Sequence, residues 1–118
     1  MDKIIIVDDY PDLQELFKTL LELNNFEARS AGSSMELNTL LLSFVPDLIL
    51  LDVMLGGESG KDICMEVKEK HPHIFIILIS ANPKLLANHK ECKADDIIEK
   101  PFDIHMVLDK VNNLLAKK

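Results

Sequence analysis

The sequence predicts an α/β fold, a doubly wound sheet of five parallel strands with five helices over its two faces. Three observations predict it. Short apolar runs alternate with stretches of helical periodicity along the whole chain, with no repeat, low-complexity tract or linker between them. The strongest runs, residues 4–7, 48–51 and 74–79, are continuously apolar rather than alternating, as strands are when crossover helices cover both sides of a sheet. Several of these runs end in a conspicuous polar residue, so that a parallel arrangement would gather those residues along one edge.

Each element has its own justification. Lys3 to Val7 reads as the first strand. From Pro11 to Leu23 a helix follows, with Leu13, Leu16, Phe17, Leu20 and Leu21 on one face and the proline suited to its first turn; Asn24 and Asn25 stop it. Residues 26–31 form a weaker strand, after which Ser33 or Ser34 caps a helix facing inward through Leu37, Leu40, Leu41 and Phe44. Pro46 opens the segment that leads into the third strand, residues 48–51, and a glycine-containing loop runs from Gly56 to Gly60. Residues 61–70 make a third helix with Ile63, Cys64 and Val67 inward, and Pro72 marks its exit. The fourth strand, residues 74–79, ends at Ser80. A helix from Pro83 to about Lys90 is expected to be mobile because its pattern is poorly amphipathic. Residues 96–99 form the last strand, and Ile104, Val107, Leu108, Val111 and Leu115 give the last helix its apolar stripe. Right-handed crossovers then place helices on both faces of the sheet.

Composition narrows the function classes. The 118 residues fit one domain, expected to span 1–118, with 47% hydrophobic and 28% charged residues. No run approaches the roughly 18 apolar residues of a membrane span, and Asp2 and Lys3 precede the first strand without a basic leader, so a cytoplasmic location is expected. Cys64 and Cys92 lack any CxxC or Cys/His pattern and are expected to be buried free thiols. A formal net charge of -7 disfavours direct nucleic-acid binding, which rests on clustered Lys and Arg. His71, His73, His89 and His105 are scattered without ligand spacing.

The strand ends form a set. The first strand delivers Asp8 and Asp9, the third Asp52, the fourth Ser80, and the fifth Lys100 followed by Pro101. If the three acids converge, their mutual repulsion calls for a cation, and a hard, oxygen-seeking Mg²⁺ suits carboxylates. Carboxylates, a hydroxyl and an ammonium are the parts of a phosphoryl-transfer site: Asp52 attacks phosphorus, while Mg²⁺ and Lys100 neutralise charge on the equatorial oxygens. Taken singly, these residues have ordinary readings, the acids as helix caps, Ser80 as a turn residue and Lys100 as a surface charge. Their joint placement at four strand ends makes the ordinary reading improbable for the group.

Over its whole length the chain resembles the receiver domain of two-component response regulators, including the chemotaxis regulators. The resemblance rests on Asp8-Asp9, on Leu50-Leu51-Asp52-Val53-Met54 with Gly60, on Ile79-Ser80-Ala81, and on Lys100-Pro101-Phe102. It implies a flavodoxin-like sheet in the order 2-1-3-4-5 and Asp52 as phosphoacceptor. It implies Mg²⁺ held by Asp9, Asp52 and the backbone carbonyl of Met54, with Asp8 acting through water. Ser80 and the Ala81 amide would contact the phosphoryl oxygens, Lys100 would pair with Asp52 or its phosphate, and the Lys100-Pro101 bond would be cis. Met54 and Asn82 would flank the path of attacking water.

The implied partners are a sensor histidine kinase or histidine phosphotransfer protein upstream and an effector protein downstream, through the fourth helix, fifth strand and fifth helix. A phosphorylation-linked homodimer is also open. The domain is expected to be a phosphoacceptor that assists its own phosphorylation and dephosphorylation rather than a conventional enzyme. Three positions depart from the family pattern: Ile97 stands where an aromatic switch residue is usual, Gly56 where proline is frequent, and Lys93 where glycine is frequent. Ile97 therefore keeps open a receiver-like interaction module with unconventional output. A haloacid-dehalogenase-type phosphatase also uses a strand-end Asp, but it needs a second acid two positions on, where this chain has Met54.

Overall fold

The computed structural model describes residues 1–118. Its sheet strands are β1 (Lys3–Val7), β2 (Glu27–Ala31), β3 (Leu48–Asp52), β4 (Phe75–Ser80) and β5 (Asp96–Glu99). The helices are α1 (Pro11–Leu23), α2 (Ser34–Leu41), α3 (Gly60–Lys70), α4 (Pro83–Leu86) and α5 (Ile104–Leu115). All strand pairs in the sheet are parallel, in the order β2-β1-β3-β4-β5, which is the expected flavodoxin-like arrangement.

The period of two along a strand explains why these strands had to be apolar throughout. Ile5, Val7, Ile49, Leu51, Ile76 and Leu78 point to one side, where Leu37, Ile63, Cys64, Val67 and Leu86 of α2, α3 and α4 cover them. Ile4, Ile6, Leu48, Leu50, Ile77, Ile79 and Ile98 point to the other, against Phe17 and Leu21 of α1 and Val107, Val111 and Leu114 of α5. Each such side chain contributes about 1.5–3 kcal/mol by leaving water, so the central strands carry most of the fold's stability.

Of the two serines that could cap α2, Ser33 does so, its Oγ accepting from the Glu36 amide at 3.2 Å. Most predicted elements stand, and three details differ. On α1, Phe17 and Leu21 are buried while Leu16 faces solvent, because the apolar stripe is wider than the strip of sheet the helix can cover. The fourth strand begins at Phe75, since the Ile74 amide is held in a turn by the carbonyl of His71.

The expected helix from Pro83 to about Lys90 is a single turn to Leu86, followed by a 3₁₀ turn, His89–Cys92. The two buried anchors of this segment are Leu86 and Cys92, six residues apart. On one straight helix they would point to widely different directions, so the segment breaks to bury both. Lys93, in the left-handed region at φ 66°, turns the chain into β5.

Candidate functional site

The carboxyl ends of β1, β3, β4 and β5 meet at one edge of the sheet. Asp8 follows β1, its amide donating to the Ala31 carbonyl of β2 at 3.1 Å, and its side chain turns inward to 4% exposure. Consecutive residues in extended chain point to opposite sides, so Asp9 is exposed, beside Gly56 at the rim. Asp52, the last residue of β3, is buried. Its Oδ1 accepts from the Met54 amide at 3.0 Å, and its Oδ2 accepts from Lys100 Nζ at 3.2 Å.

Ser80 ends β4, buried, with its Oγ accepting from the Asn82 amide at 3.0 Å. The Lys100 amide donates to the Ser80 carbonyl at 2.9 Å, which ties the start of the Lys100 segment to the end of β4. The Lys100–Pro101 peptide bond is cis, and Phe102 stacks on Phe17 of α1 at 5.2 Å between ring centroids. That stack seats the segment from which Lys100 reaches Asp52.

A cleft of about 290 Å³ opens here, lined by Asp52, Met54, Ser80, Ala81, Asn82 and Lys100. A larger hollow, about 860 Å³, lies at the opposite edge of the sheet among Val45, Asp47, His71 and Phe75, with no convergent carboxylates. Chemistry rather than size therefore singles out the smaller one.

Two of the three acids expected to converge do so. Burial raises the Asp8 carboxyl to about 6, and the neighbouring Asp52 carboxylate pushes the same way. The Tyr10 amide, which donates to Asp8 Oδ1 at 2.9 Å, and the charge of Lys100 oppose that rise. Asp9 stands apart, and no three Asp, Glu, His or Cys side chains gather into a cage sufficient by themselves to hold an ion. Side chains alone do not complete a cation's coordination shell here, which leaves the rest to backbone carbonyls or water, and Met54 borders the cleft.

The loop after Asp52 is tightly built. The Val53 amide donates to the Ile79 carbonyl at 3.0 Å, and the Gly60 amide donates to the Val53 carbonyl at 2.7 Å. A Cβ on Gly60 would lie 2.2 Å from the Asp52 carbonyl oxygen, so only glycine lets α3 start this close to the phosphoacceptor candidate. Between these points a short antiparallel hairpin pairs Met54–Leu55 with Glu58–Ser59.

A family model described as the response regulator receiver domain matches residues 4–112. The chain belongs to the response regulator receiver family. The DNA-binding dual master transcriptional regulator RpaA of Synechocystis is 29% identical over 121 residues, which is 99% of this chain and 50% of that protein. The chain thus spans about half the length of this curated relative. Among solved structures, the receiver domain of NtrX from Brucella abortus superposes with a TM-score of 0.91 at 27% identity, covering 98% of this chain and 99% of that one. The signal receiver domain of a histidine kinase from Syntrophus aciditrophicus gives 0.88 at 29% identity, covering 99% and 92%. The chemotaxis protein CheY4 of Vibrio cholerae gives 0.89 at 19% identity, covering 97% and 98%, a likeness of fold. This receiver is therefore a signalling module of the two-component kind.

Around the cleft the structure adds partners that sequence alone did not reveal. Ile97 is half-buried on the α4 side of the sheet, and its carbonyl accepts from Lys110 Nζ of α5 at 2.7 Å. The same ammonium reaches Asp96 Oδ1 at 3.1 Å. Glu58 of the hairpin accepts from the Ser34 amide at 3.0 Å and from the Ser34 hydroxyl. Both links join residues far apart in sequence, and no local pattern announces them. Cys64 and Cys92 are buried free thiols, and no helix is long and apolar enough to cross a membrane.

Proposed function

We propose that this receiver accepts a phosphoryl group on Asp52 from the phosphohistidine of a sensor kinase or phosphotransfer protein, and later loses it to water. A bond forms between an Asp52 carboxylate oxygen and phosphorus as the P–N bond breaks, and the donor imidazole leaves with its electron pair. Hydrolysis restores the carboxylate and releases inorganic phosphate. The observation that carries the proposal is the Lys100 Nζ to Asp52 Oδ2 contact at 3.2 Å in a cleft that also holds the Ser80 hydroxyl. Lys100 neutralises charge gathering on the transferring group, in a partly water-excluded site where that contributes more than in bulk water. Ser80 and Ala81 line the cleft, and in this reading the Ser80 hydroxyl and the Ala81 amide hydrogen-bond phosphoryl oxygens, while Met54 and Asn82 border the approach of water.

The donor set fits Mg²⁺. Two crowded carboxylates, Asp8 and Asp52, share one ammonium while Asp9 stands at the rim, and the Asp8 carboxyl is raised to about 6 by burial first and by the Asp52 charge in addition. Asp9, Asp52 and the Met54 carbonyl would hold the ion, with Asp8 acting through water. When bound, it neutralises charge on the phosphoryl oxygens.

Output runs to an effector protein through α4, β5 and α5, in the cytoplasm. Ile97 has no ring to rotate, and its carbonyl is already tied to Lys110, which favours an unconventional route through this surface. A phosphatase of the haloacid-dehalogenase kind is disfavoured by Met54 at the position of the required second acid. Incubation with a small acyl phosphate and Mg²⁺ tests the reading: one phosphoryl group should add by intact-mass measurement, and none to Asp52→Asn. Equal labelling of that variant would remove Asp52 from its role.

A further inference from the structure

We infer that Glu58 is a positioning residue, whose clasp on Ser34 holds the hairpin after Asp52 in the shape that presents the Met54 carbonyl to a divalent cation. This rests on the Mg²⁺ reading above.

The hairpin cannot hold itself. It consists of two residue pairs, Met54 with Ser59 and Leu55 with Glu58, and isolated two-stranded ribbons are marginal even when longer. Its tip is Gly56-Gly57, with Gly56 in the left-handed region at φ +56°, and nothing stands within 4 Å of where a Gly57 side chain would begin. Glycines lose the most backbone freedom on ordering, so the tip resists a single shape.

Ties from outside must supply the order. The strand containing Met54 is pinned by the Met54 amide on Asp52 Oδ1 and by Leu55, buried to 3% exposure. The returning strand has the Gly60 amide on the Val53 carbonyl at its far end, and the Glu58 carboxylate on Ser34 next to the tip. Both carboxylate oxygens are engaged, one by the Ser34 amide at 3.0 Å and the other by its hydroxyl. These two bonds hold the Glu58 carboxyl below its ordinary range, as acceptance of hydrogen bonds by the charged form requires. Ser33 is the residue that caps α2, which leaves the Ser34 hydroxyl free for the clasp. Glu58 does not line the cleft; it acts through the hairpin.

The test is Mg²⁺ titration of the intact protein, followed by calorimetry and by backbone amide chemical shifts. Glu58→Ala should raise the Mg²⁺ dissociation constant roughly 3- to 10-fold, less than the roughly 10- to 100-fold of groups that bond a metal ligand directly, because Glu58 acts through the hairpin. Amide exchange at Gly56 and Gly57 should quicken, with the unfolding midpoint near that of wild type. Ser34→Ala should produce part of the same change, and the double variant should add little to Glu58→Ala. Glu58→Gln separates the clasp from simple charge, because its amide can still bond Ser34 while the negative charge is gone. It should bind Mg²⁺ nearly as wild type does. If Glu58→Gln is as weak as Glu58→Ala, the effect is long-range charge and the clasp is overturned. Wild-type affinity in Glu58→Ala overturns it as well. If wild type itself binds no Mg²⁺, the metal reading fails and this inference falls with it.

Discussion

Replacing Asp8 by asparagine should make the cation-free protein more stable at neutral pH and equally stable in mild acid. Asp8 is 4% exposed, crowded against Asp52, and its carboxyl is raised from 3.8 to about 6. The folded state therefore binds that proton more tightly than the unfolded chain. Stability from this group is fully present below pH 3.8, falls as pH rises, and is lost once pH passes about 6. The gap between 3.8 and about 6 corresponds to about 3 kcal/mol, and screening by water in the open cleft reduces it to roughly 1–3 kcal/mol. An asparagine keeps an oxygen for the Tyr10 amide, now at 2.9 Å, and can donate to Asp52 where Asp8 repels it. A gain of about 2 kcal/mol would raise the melting temperature roughly 6–10 °C for a domain of this size. Urea unfolding of both proteins in chelator, near pH 4 and near pH 7.5, measures the difference directly. The advantage of the Asp8→Asn variant should appear only at the higher pH and should shrink when Mg²⁺ is added, because wild type then gains more from the ion. An advantage independent of pH, or a less stable variant at neutral pH, would refute the crowding argument.

Lys100→Ala should leave the fold intact and slow acyl-phosphate labelling about 100-fold or more, the scale set by loss of one preorganised charge-stabilising donor; intact-mass time courses check it. Gly60→Ala should cost at least about 2–3 kcal/mol, because the new Cβ falls 2.2 Å from the Asp52 carbonyl oxygen and backbone must move; chemical denaturation with a labelling assay should register both the lost stability and a displaced Asp52. Lys110→Met should preserve labelling of Asp52 but weaken the phosphorylation-dependent change in amide exchange of α5, since it cuts the bond to the Ile97 carbonyl. An undiminished change in that variant would show that the Lys110 tie carries no signal.

How much of this is legible in the sequence depends on the range of the interaction involved. Strands buried on both faces declare themselves as unbroken apolar runs, and β1, β3 and β4 do so because the residues facing α1 and α5 interleave with those facing α2 and α3. Pro11 at the start of α1 and Asn24-Asn25 at its end likewise act through their own backbone, with Asn25 at φ 69°. The segment after Pro83 reads as one helix in the sequence and is not one, because its shape is decided by two distant pockets, one for Leu86 and one for Cys92, rather than by its own periodicity. Leu16 reads as inward and faces solvent, because periodicity gives the direction of a face but not the width of what covers it.

The same distinction runs through the candidate site. Parallel strands and a shared edge are enough to bring Asp8, Asp52, Ser80 and Lys100 together, so residue type at each strand end predicts the cluster. They are not enough to set how far each acid leans in. Chain alternation sends Asp8 inward and Asp9 to the rim, which makes the crowded pair Asp8 and Asp52 rather than a symmetric trio. That asymmetry has a thermodynamic consequence. The repulsion that lowers stability of the free protein near neutral pH is relieved by whatever brings positive charge into the cleft, so stability and cation affinity are coupled through Asp8. Lys100, with one ammonium against two buried carboxylates, leaves part of that repulsion in place. A receiver with Asp8 neutralised should therefore be a sturdier fold and a weaker acceptor of cations.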